Sequence, residues 1–106
     1  DMLLDPRLLD DLRLRPASTA MLRARGDSMV PTIADGDQIV IDERDTRVSE
    51  SPAIFVLRRD GVLLVKRVAN VADGFVISSD NPVYPPIRST SVDVIGRVVW
   101  LSRTLR

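Results

Sequence analysis

Ala53-Ile54-Phe55-Val56-Leu57-Arg58-Arg59-Asp60-Gly61-Val62-Leu63-Leu64-Val65-Lys66-Arg67-Val68 consists of two apolar, β-branched runs held apart by a polar tetrapeptide. Each run is too short for a helix of ordinary length, and Asp60-Gly61 supplies the positive φ that a tight hairpin needs. The stretch therefore predicts two antiparallel strands, Ala53 to Leu57 and Val62 to Val68. The same pattern extends outward. Ala20-Met21-Leu22-Arg23-Ala24-Arg25 alternates small or apolar residues with longer ones, and Gln38-Ile39-Val40-Ile41-Asp42 is a short apolar run with polar ends. Asp73-Gly74 precedes Phe75-Val76-Ile77-Ser78, and a last strand is expected from about Val92 to Leu101, with Gly96 as a bulge or a point of close packing. Pro82, Pro85 and Pro86 mark an irregular surface loop. Strands dominate and no βαβ rhythm is present, so the fold class expected is mainly β, a coiled and partly closed sheet.

Only the beginning departs from this pattern. Asp5 can cap a short helix, Pro6 suits its first turn, and Leu4, Leu8, Leu9 and Leu12 recur on one side. Two turns of helix are not stable alone in water. Residues 1–20 are therefore read as a linker or arm with a short helix, and residues 21–106 as the domain.

The composition of the 106-residue chain removes several chemistries. There is no His and no Cys, which excludes Ser-His-Asp and Cys-His nucleophiles, disulfides, and zinc sites built from those ligands. No cofactor and no metal is expected. Lys+Arg and Asp+Glu are both 15, so overall charge does not hold the chain to DNA or membrane. The halves differ, however. In residues 1–50 seven Arg face eleven acids, a net −4, and in residues 51–106 eight basic residues face four acids, a net +4. Charges so scattered mostly form a solvated face. No apolar run approaches the ~18 residues of a membrane span, and a cytoplasmic location is expected.

Among the fifteen basic residues only Lys66 is a lysine. Arg keeps its proton near neutral pH, whereas a buried Lys can lose it. Strand alternation puts Lys66 on the face of Leu64 and Val68, where lost hydration lowers an amine's pKa. The other informative segment is Gly26-Asp27-Ser28-Met29-Val30-Pro31-Thr32, a tight turn that presents a hydroxyl and can leave backbone N–H groups pointing outward, as an oxyanion site requires. Each feature also has an ordinary explanation: a turn serine bonded to its own backbone, and a strand lysine whose ammonium reaches water. Together they form a candidate Ser-Lys pair, with Ser28 as nucleophile, Lys66 as general base, and Asp27 and Met29 supporting the turn and its oxyanion donors.

Gly26-Asp27-Ser28-Met29, Pro31-Thr32-Ile33, Asp35-Gly36-Asp37, Val65-Lys66-Arg67, Ser79-Asp80-Asn81-Pro82 with Tyr84-Pro85-Pro86, and Ile95-Gly96-Arg97-Val98-Val99-Trp100 occur in this order. The sequence from roughly Leu22 to Leu101 thereby resembles the C-terminal domain of LexA and phage CI-type repressors. The resemblance implies a β fold shared with bacterial signal peptidases, a nucleophilic serine at Ser28 and a general-base lysine at Lys66. It also implies a homodimer, DNA binding through a helix-turn-helix domain on the N-terminal side of Asp1, and self-cleavage stimulated by the RecA filament. The family cleaves at Ala-Gly or Cys-Gly, and neither dipeptide occurs in this chain. Val30 replaces a common Glu, and Pro52-Ala53 stands where a Gly often precedes the strand.

Two functions are therefore expected: a repressor C-terminal domain with a self-cleaving Ser-Lys dyad, or a non-cleaving oligomerisation and signal-sensing module of a helix-turn-helix regulator. A signal peptidase shares the serine and lysine blocks but needs a membrane anchor. A direct nucleic-acid binder needs more than Arg58, Arg59 and Arg88 and a 4% aromatic content. Dimer contacts are expected at Val98 to Leu101 and along the Leu-rich arm.

Overall fold

The computed structural model describes residues 15–105, so the helix expected over Asp5 to Leu12 lies outside the described residues. A 3-10 turn at Pro16–Ser18 leads into strands β1 (Thr19–Arg23), β2 (Gln38–Asp42), β3 (Ala53–Arg59), β4 (Val62–Val71), β5 (Gly74–Ser78), β6 (Ile87–Ser89) and β7 (Asp93–Ser102). The fold is mainly β, as expected. Among the described residues these strands form one antiparallel sheet in the order β1-β2-β7-β3-β4-β5-β6. It is open, with β1 and β6 as edges.

The β3–β4 hairpin has the turn its sequence predicts. Arg59 pairs with Val62, and the two residues between them take positive φ, 51° at Asp60 and 77° at Gly61. Both strands run longer than the apolar pattern indicated, because the ladder continues through polar Arg58 and Arg59 and through Ala69 to Val71. β3 is apolar on successive residues because both of its faces are covered. Val56 enters a core with Met29, Ile33, Ile39 and Ile41, while Phe55 and Leu57 enter a second one with Val48, Val68 and Ile77.

β7 joins the two parts of the sheet. Its first half, Asp93 to Arg97, pairs with β3, and its second half, Arg97 to Ser102, pairs with β2. The register slips once on each side, between Val56 and Leu57 and between Val40 and Ile41. Such bulges bend and twist a strand locally. Gly96 fulfils both expectations at once. It sits at the first slip, and a Cβ there would lie 2.8 Å from the Asp42 carbonyl oxygen. The final strand is thus an interior one, although Trp100 remains 38% exposed. β6 was not anticipated, since Ile87-Arg88-Ser89 after the prolines carries no apolar pattern.

Candidate active site

The chain between β1 and β2 is pinned before it presents any side chain. Beyond β1 the ladder extends by two bonds, Ala24 N–H to the Asp37 carbonyl at 2.8 Å and Gly36 N–H to the Ala24 carbonyl at 2.9 Å. Gly26, at φ 90°, turns the chain away and donates its N–H to the Asp35 carboxylate at 2.7 Å. Ile33 N–H closes the next turn onto the Met29 carbonyl at 2.9 Å. Met29 is 3% exposed and plugs the core beside Ile33 and Ile39, so its burial fixes the position of Ser28 next to it. Asp37, 2% exposed, accepts the Ala34 N–H and a two-pronged bond from Arg103 at 2.7 and 2.8 Å. That contact joins the base of the turn to the end of the chain.

Ser28 and Lys66 line one cleft of about 240 Å³, whose walls come from residues 22–26 on one side and 63–66 on the other. The cleft exists because of strand pairing. β5 pairs with β4 only from Arg67 to Val71, which leaves one edge of β4 open from Val62 to Lys66. Lys66 is half-buried there, and burial lowers its pKa from the ordinary lysine value. Its Nζ donates to Ser79 Oγ at 2.8 Å and lies 5.8 Å from the centre of the Tyr84 ring. The Ser28 hydroxyl has no hydrogen bond among the described residues, and the N–H groups of Ser28 and Met29 donate to no acceptor among them.

The segment from Ser79 to Tyr84 locks the serine turn against the lysine strand. Asn81 donates its N–H to the Ser28 carbonyl at 3.0 Å and its side-chain amide to the Asp27 carbonyl at 3.1 Å. Tyr84 OH donates to the Asp27 carboxylate, and Asp80 N–H to Met29 Sδ at 3.4 Å. Asp80 itself accepts two bonds from Arg67, both 2.8 Å, and a third from the Thr32 hydroxyl. The Arg67 bonds are the main reason its pKa is lowered, against the opposing effect of burial. The Asp27 side chain thus meets Tyr84 while its carbonyl meets Asn81. Among the described residues no group of His, Cys, Asp and Glu could hold a metal ion.

A serine whose hydroxyl is unengaged among the described residues, an amine of lowered pKa in the same cleft, and two N–H groups on the serine turn with no acceptor among those residues make up the chemistry present. The sequence matches the family described as Peptidase S24-like over residues 5–99. The chain belongs to the peptidase S24-like family. This S24-like chain is 33% identical over 104 residues to an uncharacterized HTH-type transcriptional regulator of Haemophilus influenzae, covering 92% of the chain and 43% of that relative. It is 34% identical over 86 residues to the LexA repressor of Bacillus cytotoxicus, with 80% of the chain and 41% of the relative covered. With the LexA repressor of Leptospira biflexa the identity is 32% over 95 residues, 89% of the chain and 46% of the relative. The chain therefore spans less than half the length of these relatives.

In this S24-like domain, the sequence reading named Ser28, Lys66, Asp27 and Met29 as candidates and gave no role to Ser79, Asp80, Asn81 or Tyr84. Their block was visible as Ser79-Asp80-Asn81-Pro82 with Tyr84. Ser79 and Asp80 reach Lys66 and Arg67 across 13 positions, and Asp80, Asn81 and Tyr84 reach the serine turn across about fifty; periodicity carries no signal for either. No helix among the described residues is long and apolar enough to cross a membrane.

Proposed function

We propose that this domain is the C-terminal regulatory part of a repressor-type transcription regulator and that Ser28 and Lys66 perform intramolecular self-cleavage. The observation that carries the reading is the shared cleft, lined both by the chain's sole lysine, whose pKa burial lowers, and by a serine whose hydroxyl has no partner among the described residues. Neutral Lys66 takes the Ser28 proton, and Ser28 Oγ attacks the carbonyl carbon of the scissile peptide bond. The N–H groups of Ser28 and Met29 receive the oxyanion as it develops. The leaving amine takes the proton from Lys66, and water then hydrolyses the acyl-enzyme. Ser79, bonded to Lys66 Nζ, orients the amine. Similarity to an HTH-type transcriptional regulator and to LexA repressors supports the regulator part of this reading; in it the whole protein is cytoplasmic, binds DNA through a helix-turn-helix on the N-terminal side and associates through this domain. The RecA filament is the stimulating partner in this reading.

A second reading is favoured by one observation: Lys66 Nζ bonds Ser79, and no hydrogen bond joins it to Ser28. In it, the domain is a non-cleaving oligomerisation and signal-sensing module. The full-length regulator, incubated at alkaline pH where Lys66 is neutral, should split in two, and its Ser28→Ala and Lys66→Ala variants should stay whole. Wild-type protein that also stays whole overturns the cleavage reading in favour of the second. Sedimentation of the 106-residue chain as a monomer at high micromolar concentration overturns the dimer.

A further inference from the structure

The cleft that holds Ser28 is lined by residues of two open strand edges, that of β1 and that of β4 from Val62 to Lys66. β1 is an edge of the sheet, and its extension reaches Gly26 along the cleft wall. Ala24 directs its N–H and C=O inward, to Asp37 and Gly36. In an antiparallel ladder the neighbouring residues face the other way, so the backbone groups of Arg23 and Arg25 point to the open edge. The side chains alternate as well. Leu22 and Ala24 pack against the apolar core, while Arg23 and Arg25 are exposed on the opposite face. No described carboxylate pairs with either guanidinium: Asp27 is engaged by Tyr84, Asp35 by Gly26 and Asp37 by Arg103.

We propose that the cleft binds an extended peptide in which carboxylate side chains alternate with apolar ones, added as a strand along the open edge of β1, with Arg23 and Arg25 as its specificity-determining residues. Cross-strand neighbours lie on the same face of a sheet, so one set of alternate residues meets the two arginines and the other meets Leu22 and Ala24. Main-chain hydrogen bonds give such an added strand its affinity, and the alternate side chains give it selectivity. Rim charges at this exposure add modestly to affinity and weaken in salt. This inference deepens the reading of the cleft as the Ser28 site by naming its substrate class.

The test uses the 106-residue chain and three fluorescent peptides that alternate leucine with aspartate, asparagine or lysine, followed by anisotropy. The aspartate peptide should bind about tenfold tighter than the asparagine peptide, the size expected of two exposed charge pairs, and the lysine peptide weakest. Arg23→Gln combined with Arg25→Gln should remove the difference, as should high salt. Leu63→Asp, at an exposed position on the facing wall, should weaken the aspartate peptide, whereas Arg59→Gln at the hairpin tip should not. Equal binding of the three peptides, a preference that survives the double substitution, or stronger competition by oligothymidylate than by unlabelled aspartate peptide overturns the proposal. Binding measured on Ser28→Ala protein keeps the two readings apart. Charge-selective binding with no self-cleavage sinks only the catalytic reading, and self-cleavage without charge selectivity sinks only this one.

Discussion

Asp80 is where removal of one charge should be felt in both stability and site geometry. Its carboxylate holds Arg67, next to Lys66 on β4, and Thr32, four residues beyond Ser28, so it braces the two walls of the site at a fixed separation. The magnitude follows from exposure. Asp80 is 14% exposed at its side chain and Arg67 34%, so the pair is neither fully buried nor a surface pair. Breaking a fully buried pair costs about 3–5 kcal/mol, while exposed pairs contribute about 0.2–1 kcal/mol. Arg67 can turn its guanidinium to water when its partner is lost, which puts this pair between those limits. A double-mutant cycle of Asp80→Asn and Arg67→Gln should give a coupling of about 1.5 kcal/mol at neutral pH. Asp80→Asn alone should lower Tm by about 6–12 °C in a domain of this size. Because the Asp80 pKa is lowered in the folded state, the contribution is complete above the unfolded value of about 3.9 and disappears as pH falls through the folded one. The assay is thermal unfolding of the four proteins at neutral and at strongly acidic pH. A neutral-pH coupling below about 0.3 kcal/mol, within the error of additivity, or one that persists in acid, would falsify the brace.

Lys66 can be titrated directly, because a lysine-labelled protein has a single side-chain Cε resonance. Its midpoint should fall below the ordinary value of about 10.4, and a midpoint at or above that value would contradict burial as the governing effect. The same shift makes stability rise with pH between the folded and unfolded midpoints, where the unfolded chain binds the extra proton. Gly96→Ala should destabilise the domain by about 1–3 kcal/mol in urea unfolding, since the new Cβ meets backbone atoms of Asp42 and Glu43 that cannot rotate aside. An unchanged midpoint there would mean that β2 and β7 tolerate separation.

What could be read without coordinates was whatever depends on neighbours along the chain. The hairpin at Asp60-Gly61 was legible because glycine's freedom at positive φ is a local property, and β2 was legible to the residue because its apolar run has polar ends. Burial of Lys66 could be inferred because alternation along a strand puts it on the face of Leu64 and Val68. Alternation says which face a residue occupies and nothing about what lies opposite, so the bond to Ser79 was not legible.

The sequence by itself determined the β class and the absence of histidine and thiol chemistry, and it singled out the two residues proposed as nucleophile and base, since these follow from residue type and short-range spacing. Tertiary structure alone decided that β7 runs through the middle of the sheet and that Asp80 braces the site. It also decided that half of β4 keeps an open edge and that residues 63–66 on it line one cleft with residues 22–26. Those outcomes depend on which distant segments pair and on where the pairing stops, quantities set by the packing of the whole chain rather than by any window of it.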